Sequence, residues 1–298
     1  MKKTGEAKGL KTEGGLHTRG EFHKSSEPGN PLISIITVVY NGEQYLEQTI
    51  NSVINQTYKN IEYIIIDGAS TDGTLDIVRK YEDRIAYWLS EPDKNLYDAM
   101  NKGSRIASGD YLLYINSDDY LYSCDSVKNM LRLGLCNGNA PLLLAGRVLV
   151  ALNDEILDWV IPISEAQIHK DGPHLTATFI SSKIYNNIKY NTLFNISGDI
   201  DYWNTIRRKN LLHVKYVDTI VSVFRLNGVS NSVKMDYYRY IEREISKYNL
   251  SGHFSILILL KNVSFVFLKR IIIIILGKKF YYKYVLHSIY VLRRLFFR

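Results

Sequence analysis

The chain has few of the cysteines that form disulfides in secreted domains or bind structural metal ions. Its 298 residues include two cysteines, Cys124 and Cys136, which cannot form a disulfide framework and do not have metal-ligand spacing. The first residues lack the apolar core of a signal peptide. We therefore expect a protein of the reducing cytoplasm.

Glycine-rich phosphate loops are missing as well. No G-x-x-x-x-G-K-[ST] occurs, and the first predicted strand-to-helix turn, Tyr40-Asn41-Gly42-Glu43, lacks the G-x-G-x-x-G of dinucleotide-binding sheets. This excludes P-loop enzymes and disfavours dinucleotide dehydrogenases and standard methyltransferases. A sheet of this kind would bind nucleotide phosphates through a metal ion instead.

Acidic residues are absent from the end of the chain. No Asp or Glu follows Glu244, whereas ten basic residues do: Lys247, Lys261, Lys269, Arg270, Lys278, Lys279, Lys283, Arg293, Arg294 and Arg298. Subtracting these ten from the net charge of +7 leaves −3 for the first 244 residues. This asymmetry predicts that the basic tail binds an anionic surface.

The basic tail also has no long uncharged apolar run. Its longest runs are shorter than the roughly 18–20 residues of a spanning helix. Ile271–Leu276, bracketed by basic pairs, suits an interfacial segment whose lysines reach lipid phosphates. The Ile and Leu content favours lipid over nucleic acid as the partner. A helix pair packed on the domain is the alternative interpretation.

Strands and helices alternate through the first half of the sequence. Apolar segments predict buried strands at 32–40, 63–66, 85–89 and 111–115, and helical periodicity predicts helices at 46–54, 74–81 and 98–107. This alternation predicts an α/β fold with a parallel sheet. The second half is less regular, with a predicted strand pair at 142–152 and 156–163, a helix at 199–208 and a strand at 217–225.

Three regions follow from this pattern. Residues 1–30 are polar and are predicted to be a disordered extension. Residues 31–235 form the α/β domain, with a nucleotide-binding half at 31–122 and an acceptor half at 123–235. Residues 236–298 are predicted to be basic amphipathic helices associated with a membrane.

Two adjacent carboxylates, Asp118 and Asp119, follow the predicted strand at 111–115. A parallel strand carries such residues to the carboxyl edge of the sheet, where open α/β sheets bind their ligands. Oxygen-rich sites of this kind suit a hard divalent cation that bridges phosphates. The alternative is a loop that caps the next helix through Asp119 or Ser123.

Six ordered motifs resemble the family 2 glycosyltransferases of the GT-A fold. They are Ser34–Asn41, Ser52–Thr57, Ile66–Thr74, Asp98–Gly103, Ala107–Tyr111 and Asn116–Asp119. Looser similarity continues at Pro173-His174, Ser197–Asp201 and Ser222–Ser230. The resemblance implies a GT-A, Rossmann-like domain that transfers a sugar from a nucleotide-sugar donor, usually UDP-linked, with inversion at the anomeric carbon.

The resemblance also implies a cation site. The family's D-x-D element aligns with Asn116-Ser117-Asp118, so Asn116 stands where an Asp is common. Asp118 is then the expected ligand of Mn²⁺ or Mg²⁺, with Asp119 in or next to the coordination shell and Ser117 beside the nucleotide. Substrate phosphates would supply much of the remaining coordination.

By the same resemblance, Val38, Tyr40, Asn41 and Asp67 are expected at the nucleotide. Many relatives carry two successive acids where this chain has Asp67-Gly68. Gly68 offers no acceptor to the base, which leaves uracil specificity open. Three further candidates, Asp98, Asn101 and Lys102, share one helix face by their i, i+3, i+4 spacing.

For the catalytic base, the family places an Asp at a helix start in the second half. Asp199 matches that position, and Asp201 is the second candidate. Their side chains diverge by about 200° on a helix, so only one can face the donor. A helix N-cap is the structural alternative for Asp199. His174 is expected near the acceptor or a phosphate, and Arg147 and Trp203 are possible sugar contacts.

The resemblance implies a biological setting too. We expect a lipid-linked saccharide acceptor, such as a polyprenyl-diphosphate sugar, in bacterial surface polysaccharide biosynthesis such as O-antigen or lipopolysaccharide assembly. The enzyme would lie at the cytoplasmic face of the cell membrane, on an anionic lipid surface and without nucleic acid. The alternative is a catalytically weak or inactive membrane scaffold with the same fold, an interpretation that Asn116 and Gly68 motivate.

Overall fold

The first half of the chain alternates strands and helices in the computed structural model, which describes residues 11–135, 140–152, 155–161 and 172–226 together with 241–243, 245, 246, 271 and 275. Its elements are β1 (Thr12–Gly14), β2 (Ile33–Val39), α1 (Leu46–Ile54), β3 (Ile61–Asp67), α2 (Thr74–Lys80), a 3₁₀ turn (Glu82–Arg84), β4 (Tyr87–Ser90), α3 (Leu96–Ile106) and β5 (Tyr111–Tyr114). The predicted strands and helices of this half are confirmed to within a few residues.

The second half adds strands of both directions. Its elements are β6 (Tyr120–Leu121), α4 (Ser126–Gly134), β7 (Leu143–Leu152), β8 (Glu155–Ile161), a 3₁₀ turn (Leu175–Ala177), β9 (Thr178–Ser181), α5 (Ser182–Tyr185), α6 (Gly198–Arg208) and β10 (Val214–Arg225). The predicted strand pair is confirmed because β7 and β8 pair antiparallel.

All these strands join one sheet in the order β1-β4-β3-β2-β5-β9-β7-β10-β6, with β8 paired to β7. The four strands β4, β3, β2 and β5 are mutually parallel, and β7 is parallel to β10. Their carboxyl ends therefore share an edge, where the loops after β2, β3, β4 and β5 meet. The mostly parallel α/β sheet expected from the sequence is confirmed.

Two apolar layers cover the sheet. Along β2, Ile33 and Ile35 pack under α1, α2 and α4, whereas Ile36 and Val38 pack under α3 and α6. Both faces are buried because crossover helices lie on both sides, which explains why the strands are continuous apolar runs. Each fully buried Ile or Val contributes about 1.5–3 kcal/mol.

A glycine lets helix α3 approach β2 closely. A Cβ at Gly103 would lie 2.7 Å from Ile36 Cγ2, inside normal contact distance. This close packing fixes the distance between α3 and β2.

The N-terminal segment corrects one prediction. The disorder predicted for residues 1–30 is wrong from residue 11 onward, because β1 pairs antiparallel with β4. His17 Nε2 lies 3.2 Å from Oε1 of the buried Glu62, and the side-chain amide of Asn60 donates to the carbonyls of Ser25 and Asn30. Main-chain pairing and polar partners on the sheet hold a segment that has few apolar residues of its own. Residues 1–10 lie outside the described residues.

The predicted C-terminal helices, 236–298, lie almost wholly outside the described residues. The seven positions that are described there are helical. In the described part of the chain, no helix combines the length and apolar character needed to cross a bilayer.

Candidate active site

A cavity of about 310 Å³ opens where the two halves of the chain meet. Asn116 borders it from the loop after β5, and Tyr97 from the first turn of α3. The second half contributes His174, Asp199 and Trp203. We call the predicted metal-binding segment Asn116–Asp119 the cation loop. The structure therefore brings one residue of the cation loop, Asn116, and the predicted catalytic base, Asp199, to one cavity.

The two carboxylates after β5 have different surroundings. Asp119 is fully buried, and its two oxygens accept hydrogen bonds from the Arg225 backbone N–H (3.0 Å) and the Asn116 amide (3.1 Å). Burial, followed by the charge of Asp118, raises the pKa of Asp119 well above its usual value. Because both oxygens are used inside the protein, we assign Asp119 a structural role and leave Asp118 as the carboxylate of the cation loop.

Arg225, at the end of β10, contacts this loop through hydrogen bonds. Its guanidinium is 1% exposed and lies over the rings of Tyr45 (4.4 Å) and Tyr120 (4.8 Å). It donates to the Asp118 carbonyl at 2.6 Å and to the Gln48 side chain. A buried cation needs such partners to offset its desolvation. The last strand of the second half is thus tied to the cation loop of the first.

The donor atoms of this loop fit a hard cation. Asn116 Oδ1 is buried without a hydrogen-bond partner in the described part of the chain, while its NH₂ is anchored on Asp119. Burial raises the pKa of Asp118, and the Arg225 guanidinium opposes that rise. An amide oxygen and a carboxylate are ligands that Mn²⁺ and Mg²⁺ accept. The described residues contain no group of three or more His, Cys, Asp or Glu that could hold a metal, so phosphate oxygens would have to complete the shell.

Asp199 and Asp201 point in different directions from α6. Asp199 borders the cavity, with Oδ1 accepting from the Ile200 N–H at 2.9 Å. Asp201 is buried and accepts from the Ser246 hydroxyl at 3.1 Å. Burial raises the pKa of Asp201, and the Ser246 hydrogen bond opposes that rise. Of the two predicted bases, the geometry places Asp199 at the cavity.

His174 borders the same cavity from the loop before the second 3₁₀ turn. Its Nδ1 lies 3.0 Å from the Thr176 hydroxyl, and its ring packs edge-on against Phe224. Burial lowers the pKa of His174 to about 4. The imidazole is therefore neutral near pH 7, which suits a hydrogen bond to a sugar hydroxyl better than an ion pair with phosphate.

The loops after β2 and β3 are joined by hydrogen bonds. The Asn41 side chain accepts from the Thr71 N–H at 2.8 Å, and the Gly42 N–H donates to the Thr74 hydroxyl at 2.9 Å. Asp67 accepts from the Ser90 and Ser70 hydroxyls at 2.6 and 2.5 Å. These polar side chains fix the conformation of the two loops. Through these hydrogen bonds, Asn41, which has a φ of 50°, and Asp67 shape the carboxyl edge of the sheet.

The other predicted nucleotide contacts divide by exposure. Val38 is buried in β2, whereas the Tyr40 ring, just beyond that strand, is 65% exposed. Ser117 lies beside the first turn, where a Cβ on Gly42 would be 3.3 Å from its hydroxyl. Tyr40 and Ser117 are therefore available at the carboxyl edge, and Val38 supports it from within.

The three candidates on helix α3, Asp98, Asn101 and Lys102, have partners within the protein. Asn101 is buried and exchanges two hydrogen bonds with the Tyr190 backbone, at 2.8 and 2.9 Å. Lys102 Nζ lies 2.6 Å from Asp93 and 2.8 Å from Glu91, with Asp98 at 3.8 Å. Asn101 therefore links the first half of the chain to the second, and Lys102 forms ion pairs with the acidic residues of the loop after β4.

Arg147 lies at the surface and Trp203 in the interior. Arg147 pairs with Asp218 at 2.6 Å. Trp203 is 1% exposed and borders the cavity, where an aromatic wall can pack against a sugar ring. Residue type suggested both, and only Trp203 reaches the cavity.

Comparison with known proteins agrees with this geometry. Residues 34–133 match the family model described as glycosyl transferase family 2. These residues are a family 2 glycosyltransferase domain. The putative teichuronic acid biosynthesis glycosyltransferase TuaG of Bacillus subtilis (strain 168) is 33% identical to this chain over 145 residues, which are 48% of the chain and 57% of TuaG.

Solved structures share the GT-A fold of this chain. TarS 1–349 of S. aureus in complex with UDP-GlcNAc superposes with a TM-score of 0.58 at 17% identity, covering 85% of this chain and 76% of TarS 1–349. The mannosyltransferase PcManGT from Pyrobaculum calidifontis, in complex with GDP-Man and Mn²⁺, gives 0.57 at 16% identity, covering 83% and 73%. The matches to TuaG and four further curated relatives span 29% to 57% of those proteins' lengths.

Two residues next to the predicted site are not indicated by the sequence. Arg225 lies in the Ser222–Ser230 motif, but no spacing rule connects it to Asp118, 107 residues earlier. Asp93 lies in a loop without periodicity. A lone Arg after an apolar strand and an acid beside a loop proline are weak signals that only tertiary contacts resolve.

Proposed function

We propose that the chain is an inverting glycosyltransferase that moves a sugar from a UDP-linked donor to a lipid-linked saccharide acceptor. One observation carries the proposal: Asp199 from the second half and Asn116 from the cation loop border the same cavity. A base and a phosphate-neutralising loop on one cavity are what sugar transfer from a nucleoside diphosphate needs.

The residues divide the work in the following way. Asp199 takes the proton from the acceptor hydroxyl, and the hydrogen bond from the Ile200 N–H to its Oδ1 orients the carboxylate. Asp118 and Asn116 Oδ1 would hold Mn²⁺ or Mg²⁺, which would neutralise charge on the leaving diphosphate. Neutral His174 and Trp203 orient the sugars in the cavity. Arg225 keeps the cation loop in place through the Asp118 carbonyl.

Several features support a membrane setting and a lipid-linked acceptor. The ten basic residues after Glu244, without an acid among them, would attract an anionic lipid surface on the cytoplasmic side. TuaG is named as a putative teichuronic acid biosynthesis glycosyltransferase. The acceptor that we propose is a polyprenyl-diphosphate saccharide of bacterial surface polysaccharide assembly, such as O-antigen or lipopolysaccharide.

The experiment is a donor panel with the purified full chain. UDP-GlcNAc, UDP-Glc, UDP-Gal and GDP-Man are incubated with Mn²⁺, and release of the nucleoside diphosphate is measured. We expect turnover of one UDP-sugar, loss of turnover with EDTA, and, with a lipid-diphosphate GlcNAc acceptor, an NMR coupling that reports the inverted anomer. Absence of turnover with every donor would favour the scaffold alternative, and a retained anomer would contradict the inverting mechanism.

A further inference from the structure

Asp93 and Tyr40 approach Gly68 closely at the carboxyl edge of the sheet. Gly68 follows Asp67 at the end of β3, where it has no side chain to offer a base. A Cβ placed on Gly68 would lie 3.1 Å from Asp93 Oδ2 and 3.4 Å from Tyr40 Cδ2, which is tight contact. The absence of a side chain at position 68 thus lets the carboxylate of Asp93 and the ring of Tyr40 lie close together.

Asp93 comes from the loop between β4 and α3. Its side chain is 9% exposed, and Oδ1 lies 2.6 Å from Lys102 Nζ. Oδ2, which lies on the side of Gly68 and Tyr40, has no hydrogen-bond partner among the described residues. A carboxylate oxygen with an unused acceptor position beside the exposed Tyr40 ring is available to a ligand.

The surroundings hold Asp93 in place. Burial raises the pKa of Asp93, and the Lys102 ammonium opposes that rise. Lys102 also contacts Glu91 at 2.8 Å and donates to the Pro92 carbonyl at 2.9 Å. The ammonium is therefore occupied by the loop, and Oδ2 remains as an acceptor.

We propose that Asp93 determines which nucleobase the donor carries, by accepting a hydrogen bond at Oδ2 from a ring N–H. The exposed Tyr40 ring supplies a stacking face beside it. Uracil presents N3–H and guanine N1–H on this edge, whereas cytosine and adenine present a ring lone pair, which a carboxylate repels. The site thus takes uridine or guanosine diphosphates and rejects cytidine and adenosine diphosphates. This inference rests on the proposed function.

The test compares nucleotides with a probe that has no base. Calorimetric titration with Mn²⁺ measures the affinities of UDP, GDP, CDP, ADP and inorganic pyrophosphate for the wild-type chain, Asp93→Asn and Asp93→Ala. The matched control is Asp76→Asn on α2, whose side chain is 87% exposed. Thermal unfolding of each variant checks that the fold is retained.

We expect the wild type to prefer UDP or GDP over CDP and ADP. Loss of the hydrogen bond should weaken that nucleotide roughly tenfold or more in Asp93→Ala, and less in Asp93→Asn, whose amide oxygen can still accept from the ring N–H, with pyrophosphate affinity unchanged in both. Asp93→Asn should also lose discrimination against CDP, because its amide can donate to the ring lone pair. Asp76→Asn should match the wild type.

Three results would overturn the inference. Equal weakening of UDP and pyrophosphate would make Asp93 a purely structural residue. A wild-type preference for CDP or ADP would contradict the base selection while leaving sugar transfer intact. If the wild type binds no nucleoside diphosphate with Mn²⁺, the proposed function fails with it.

Discussion

Asp199 and Asp201 are two residues apart on α6, yet only Asp199 borders the cavity. We expect Asp199→Asn to lower kcat by several orders of magnitude, because the amide cannot take the acceptor proton. Donor affinity should stay within a few-fold of the wild type. Steady-state kinetics and UDP titration measure the two quantities separately.

Asp201→Asn is the matched control for that variant. Its carboxylate binds Ser246 away from the cavity, so turnover should remain close to the wild-type value. Equal loss of donor binding and turnover in Asp199→Asn would mean that Asp199 is structural. Loss of turnover in Asp201→Asn alone would exchange the two roles.

Arg225 allows a second prediction at the scale of single residues. Arg225→Met removes the donor to the Asp118 carbonyl while it fills similar space between Tyr45 and Tyr120. We expect the Mn²⁺ concentration for half-maximal turnover to rise roughly tenfold or more, since a charge-assisted hydrogen bond holds the cation loop. A metal titration measures this value.

Arg225→Lys keeps the charge but loses the planar fork. It should therefore fall between the wild type and Arg225→Met in its Mn²⁺ requirement. If both variants have a wild-type Mn²⁺ requirement and a lower Tm, Arg225 stabilises the fold without positioning Asp118.

At the residue scale, the sequence predicted positions better than it predicted contacts. The resemblance placed Asn116, His174 and Asp199 among the expected site residues, and all three border one cavity in the structure. It did not reveal that Asp119 is buried, that Asn101 binds the Tyr190 backbone, or that Lys102 pairs with Asp93. Those contacts depend on long-range packing, which neighbouring residues in the sequence do not encode.

Strand β1 is one of the elements that the sequence did not predict, together with β6, α4, β9 and α5. Strands β2 to β5 were predictable because buried parallel strands are continuous apolar runs between helices. Strand β1 is three residues long and polar, so neither alternation nor apolar content indicates it. Its pairing with β4 depends on an exposed edge of the sheet that exists only after folding.

This element allows a prediction about stability. We expect deletion of residues 1–30 to lower the free energy of unfolding by about 1–3 kcal/mol, because it exposes the edge of β4 and removes His17 from the buried Glu62. Urea unfolding measures the difference. Deletion of residues 1–10 is the control, since the contacts of β1 and His17 begin after it. Equal stability of the two truncated chains would show that the segment contributes nothing to the fold.

At the scale of the whole molecule, charge is divided along the chain. The first 244 residues carry −3 and the remainder +10, which sum to the overall +7. We expect the full chain to sediment with phosphatidylglycerol vesicles and less with phosphatidylcholine vesicles, because basic residues near an anionic surface contribute about 1 kcal/mol each. The binding should weaken as salt rises.

Removal of residues 250–298 tests the same expectation. It takes away nine of the ten basic residues, all except Lys247, and should abolish sedimentation while hydrolysis of the soluble donor persists. Unchanged vesicle binding and unchanged transfer to a lipid-linked acceptor would together contradict the membrane role.

The central proposal is that Asp118 holds the metal ion on which sugar transfer depends. The most direct measurement is Mn²⁺-dependent release of UDP from a UDP-sugar by the wild type, by Asp118→Ala and by the exposed-site control Asp76→Ala. We predict turnover in the wild type and the control, and none above background in Asp118→Ala, which should keep the wild-type Tm to within a few degrees. Near-normal turnover by folded Asp118→Ala would contradict the account.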